Sequence, residues 1–109
     1  MKYLIIHRED VKLSTTNLSP KGQICAKRTL ETIDGLLKKV PDKCTLIDSS
    51  QRDLEIVANY FEPNEKVTLC GAYLGMCLYE ANNILRQKKI KVYFHPQRLY
   101  LNYKTIKFK

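Results

Sequence analysis

"KVTLCGAYLGMCLYEANNILRQKKIKVYFH", Lys66 to His95, opens on an apolar run rich in β-formers and then changes period, with Leu74, Leu78, Ala81 and Leu85 recurring at helical spacing. It closes on a second β-forming run, "IKVYFH". The reading is strand, helix from about Gly75 to Gln87, strand. Two strands joined through a helix of that length run parallel, because a hairpin needs only a tight turn. This βαβ unit decides the fold class.

Upstream the same alternation repeats. "KYLIIH", residues 2 to 7, reads as a buried strand, and "REDVKLSTTN" after it shows no period and reads as loop. In "LSPKGQICAKRTLETIDGLLKKVP", Ser19 is a natural N-cap with Pro20 at the first helical position. Ala26, Leu30, Ile33 and Leu37 then mark one apolar stripe of a helix ending near Val40 and Pro41. "CTLIDSS" is the next strand, and Ser50 with Asp53 gives a capping-box-like start to a further helix with Leu54, Val57, Ala58 and Phe61 inward. The tail "RLYLNYKTIKFK" alternates in places, as a last strand or a hairpin would.

With 109 residues the chain forms a single domain, residues 1–109, and its 44% hydrophobic and 28% charged residues exclude a disordered chain. Strands alternating with helices predict an α/β three-layer sandwich around a mainly parallel central sheet. The run "YLII" is too short for a secretory leader, and no stretch approaches the ~20 apolar residues that span a bilayer. The expectation is a cytoplasmic protein, with no membrane partner and with Cys25, Cys44, Cys70 and Cys77 reduced. No cysteine or histidine grouping has metal-site spacing, so no metal is expected.

The net charge of +8, from 19 basic and 11 acidic residues, suits an anionic partner. Arg86, Lys88, Lys89, Lys91, Arg98, Lys104, Lys107 and Lys109 follow one another without an acid between them. Tyr93, Phe94, Tyr100, Tyr103 and Phe108 interleave with these cations, a composition that fits nucleic acid and equally an ordinary solvated strand with a lysine-rich edge.

In open α/β sheets, sites form at the carboxyl ends of the strands. Taken in chain order, "YLIIHRED", "NLSPKGQICAKRTLETI", "TLIDSSQRDLEIVANYF" and "VTLCGAYLG" resemble the histidine phosphatase superfamily, the phosphoglycerate-mutase-like fold, and within it the small phosphohistidine-phosphatase branch. The likeness covers about residues 3 to 75. It implies a phosphoglycerate-mutase-like sandwich of reduced size in which His7 is the nucleophile and Glu9 an orienting or proton-handling acid. Arg8, Arg52, Ser49 and Ser50 would bind the phosphate of a phosphorylated small molecule or phosphoprotein, and no cofactor is implied.

Departures from the family pattern fall on the phosphate-binding groups. Ile6 stands where the family has arginine, Arg8 where it has glycine, Ala72 where its second histidine would follow Gly71, and Arg52 sits one position short. Attack by an imidazole on phosphorus needs arginine forks and donors around the transferred group. The pattern therefore implies a pocket in which catalysis is weak or lost, or a binding and regulatory module built on the same frame.

Without the likeness, His7 also reads as a polar residue ending a strand, Arg52 as a surface residue at a helix start, and Ser49 and Ser50 as caps. A third reading comes from Gly71-x5-Cys77 at a strand-to-helix junction, which looks like the nucleophile segment of isochorismatase-type cysteine hydrolases. That family also uses an aspartate on its first strand and a lysine on another, whereas here "YLII" lacks the acid and "TLIDSS" lacks the lysine. On its periodicity alone, Cys77 reads as a small buried residue beside Leu78 and Ala81.

Overall fold

The computed structural model describes residues 1–17, 19–47, 56–74, 77–94 and 99–102. Within them the chain forms strands β1 (Lys2–Ile6), β2 (Cys44–Ile47), β3 (Lys66–Leu74), β4 (Lys91–Tyr93) and β5 (Tyr100–Asn102). The helices are α1 (Arg8–Asn17), α2 (Pro20–Lys39) and α3 (Cys77–Gln87), with short 3-10 turns at Pro41–Lys43 and Val57–Tyr60.

All pairings are parallel, in the order β2-β1-β3-β4. β5 lies on the same side of β3 as β4 but further along it, pairing Gly71 with Tyr100 and Ala72 with Leu101. The described part of the tail thus adds one more strand, parallel to β3. The chain steps from β1 outward to β2, then returns to β3 on the other side of β1 and continues to β4. Right-handed crossovers in opposite directions place their helices on opposite faces of the sheet.

Two apolar layers follow from this winding. Leu4, Ile6, Val67 and Leu69 point to the α3 face, where they meet Val57, Phe61, Leu78, Ala81 and Leu85. Ile5, Cys70 and Ala72 point to the other face and meet Val11 of α1 with Ala26 and Ile33 of α2. The strands of the centre are buried on both faces, which is why they read as continuous apolar runs and not as alternation.

α2 starts where Ser19 and Pro20 predict, with the Ser19 hydroxyl accepting from the Gly22 amide at 3.3 Å, and it is capped at Val40. The segment read as loop, residues 8 to 17, is instead α1. Among its residues with described burial, 8 to 16, only Val11 and Ser14 are buried, so its sequence carries too narrow a stripe to show a period. Glu9 and Asp10 suit its first turn. The hydroxyls of Ser14, Thr15 and Thr16 donate to the carbonyls of Asp10, Lys12 and Leu13, so residues that ordinarily compete with a helix are absorbed by it. The helix expected from Ser50 lies mostly outside the described residues; its last part is the 3-10 turn at Val57–Tyr60.

Among the described residues no helix is long and apolar enough to cross a membrane. All four cysteines are free thiols.

Candidate functional site

β1 and β3 are neighbours, and the chain leaves them in opposite directions, so the topological switch point lies between their carboxyl ends. His7 follows β1 directly. Cys77, the first residue of α3, stands just beyond β3. Their side chains meet there, with His7 Nε2 and Cys77 Sγ 3.2 Å apart. Either the thiol donates to a neutral ring nitrogen or a ring N–H donates to the sulfur, so the two residues are placed to exchange one proton.

His7 is held by its backbone. Its amide donates to the Ile47 carbonyl at 2.8 Å, and its own carbonyl accepts from the Asp10 and Val11 amides at 3.0 and 3.2 Å. Its φ of 56° lies in the left-handed region, which ends β1 and turns the chain into α1 within one residue. On the other side, Gly71 (φ 106°) lets β3 lie against the Ile6 backbone immediately before the histidine.

The surroundings of the sulfur are acidic. Partial burial first, then the charges of Glu80 and Asp10, push the Cys77 thiol above its ordinary value, so it rests protonated. Glu80 lies one turn along α3 from Cys77, and Asp10 one turn into α1 from His7. Tyr73 is also raised, chiefly by burial, and its phenol bonds the Ser14 hydroxyl, tying α1 to the end of β3.

Of the other expected site residues, Arg8 and Glu9 are described. Arg8 does not join His7 as an anion-binding group: its Nε donates to Asp34 Oδ1 at 2.8 Å, its Nη2 to Asp34 Oδ2 at 3.2 Å and its Nη1 to Glu9 Oε1 at 3.2 Å. Glu9 is an exposed partner of Arg8. Ser49, Ser50 and Arg52 lie outside the described residues, as do Arg98, Lys104, Lys107 and Lys109. In the basic C-terminal third, Lys88 donates to the carbonyls of Ala58 and Phe61, and Arg86 to Asn82 and the Val92 carbonyl, so both work as caps within the fold.

What sequence reading missed is the contact itself. The stretch "VTLCGAYLG" closes at Gly75, before Cys77, and the periodicity of α3 reads Cys77 as a core residue. Cys77 is half-buried against that core, yet its sulfur faces the other strand end. The switch-point rule applied to the first residue of α3, and not only to the last residues of β3, would have paired the two.

The fold and these groups define a class: a parallel α/β protein with a thiol and an imidazole in contact at the topological switch point. Comparison of the chain with protein-family models, with curated proteins and with solved structures finds no match.

Proposed function

We propose that Cys77 and His7 are the nucleophile and general base of a small hydrolase or acyl-transfer enzyme acting on an electrophilic carbonyl. The 3.2 Å approach of Nε2 to Sγ carries this reading. The thiol is held neutral, so the step is base-assisted attack and not attack by a resting thiolate. As sulfur bonds to the carbonyl carbon, its proton passes to His7 Nε2, and the imidazolium then returns that proton to the leaving group. Water attacks the resulting thioester with His7 again as base, freeing the acid and the thiol. The opening amides of α3, which have no partner within the helix, lie beside Cys77 and suit the developing oxyanion.

The likeness to isochorismatase-type hydrolases supports the nucleophile, and the departure from it is informative. Where that family has an acid on its first strand, this chain has the imidazole ending β1. The histidine-phosphatase reading gives His7 phosphorus as its target and calls for cations around it, whereas Arg8 is bound to carboxylates.

A panel of thioesters, aryl esters, small amides and phosphomonoesters, assayed with wild type, Cys77→Ser and His7→Ala, tests the reading. Loss of carbonyl-substrate turnover in Cys77→Ser and a fall of about 10²–10⁴ in His7→Ala are expected. Phosphomonoester turnover that needs His7 and survives Cys77→Ser would replace it with phosphoryl chemistry. Turnover unaffected by either substitution would remove the enzyme reading.

A further inference from the structure

Arg8 is an odd occupant of its position. It is the first residue of α1, where a cation opposes the helix dipole by about 0.3–1 kcal/mol. Its guanidinium nevertheless reaches across to α2 and grips both oxygens of Asp34. A bidentate fork fixes direction as well as distance, which a lysine ammonium cannot do.

Its neighbour in sequence is His7, whose left-handed backbone is unfavourable for a residue with a Cβ and persists only where the surroundings over-determine it. The amide side of His7 is fixed to the end of β2, and the carbonyl side opens α1. The direction of the imidazole therefore depends on how α1 is seated. Val11 in the core and the Tyr73–Ser14 hydrogen bond hold the middle of α1 against the sheet. The fork to Asp34 holds its first residue.

We infer that the Arg8–Asp34 fork sets the His7 ring on the Cys77 sulfur, making Arg8 and Asp34 positioning residues of this site. The inference rests on the nucleophile–base reading for its purpose, though the fork's effect on the ring is measurable without it. Arg8→Lys keeps the charge and loses the fork; Asp34→Asn keeps the shape and weakens it. Arg8→Asp combined with Asp34→Arg restores a pair of opposite polarity, with the anion now favoured by the dipole.

Three readouts on the full chain decide it: the ¹⁵N shifts of the His7 ring, thermal melting, and the pH profile of Cys77 alkylation by iodoacetamide, resolved from the other cysteines by peptide mass. Arg8→Lys and Asp34→Asn are expected to melt cooperatively, move the His7 Nε2 signal, and slow Cys77 alkylation at neutral pH by about tenfold to a hundredfold, toward the His7→Ala rate. The exchanged pair is expected to recover part of both effects. Folded single variants with the wild-type ring shifts would overturn the inference. If His7→Ala alkylates as wild type does, the nucleophile–base reading falls, and the fork is then judged on the ring shifts alone.

Discussion

At Gly71 the backbone of β3 comes so close to β1 that a Cβ there would lie 1.9 Å from the Ile6 carbonyl oxygen, and φ is 106°. Main chain, not a movable side chain, is in the way. Gly71→Ala must separate the two central strands as well as strain its own backbone, so a loss of at least about 4 kcal/mol is expected. Urea titration of the variant beside wild type measures it, and a loss under about 1 kcal/mol would mean that the strands part easily. The sequence reads differently at neighbouring single residues. His7 was legible as the polar end of an apolar run, because that depends on adjacent residues alone. The role of Arg8 was not, because its partner Asp34 is 26 positions away and on another helix. Likeness to a known motif placed Arg8 beside an anion, whereas two nearby carboxylates had already claimed it.

Among the elements, α2 and α1 differ in how far local sequence determines them. α2 carries its own signals, an N-cap, a proline at its first position, an apolar stripe and lysines in its last turn. Removing one such signal has a local, calculable effect: Ser19→Ala leaves the Gly22 amide without its acceptor and is expected to cost about 1 kcal/mol, while Ser19→Asp is expected to cost little. Chemical denaturation of both variants checks this; equal stability for all three proteins would assign the cap to solvent. α1 has almost none of these signals beyond its acidic first turn. It is helical because Val11 and Ser14 have α2 and β3 to pack on, and such tertiary support leaves no period in ten residues of sequence. The parallel strands are legible as apolar runs, and β5 is legible as one more strand, but its pairing direction is not, because that depends on a partner 29 residues upstream, Gly71 for Tyr100.

For the molecule as a whole, the winding that brings β1 and β3 side by side also buries their side chains on both faces, so the sheet that positions the site contains a titratable group in its interior. Cys70 is fully buried on the α1 and α2 side, and burial, reinforced by the charge of Cys44, pushes its thiol up to about 12 from an ordinary 9. A group whose value is raised on folding stabilises the folded state fully below the unfolded value. That contribution fades as pH climbs from about 9 toward about 12, because the unfolded thiol ionises in this window and the folded one does not. The expected decline for one such group is about 1.4 kcal/mol per pH unit. Tyr73 and Cys77, raised as well, act in the same direction. Guanidinium titrations between pH 8 and 11, chosen as roughly the span over which a thiol ionises, separate the contributions: Cys70→Ala is expected to start less stable but to follow a shallower alkaline decline than wild type. Parallel curves for the two proteins would show that the interior of the sheet is open enough to solvate a thiolate, and a sheet that open could not hold the His7 ring in a fixed position against Cys77.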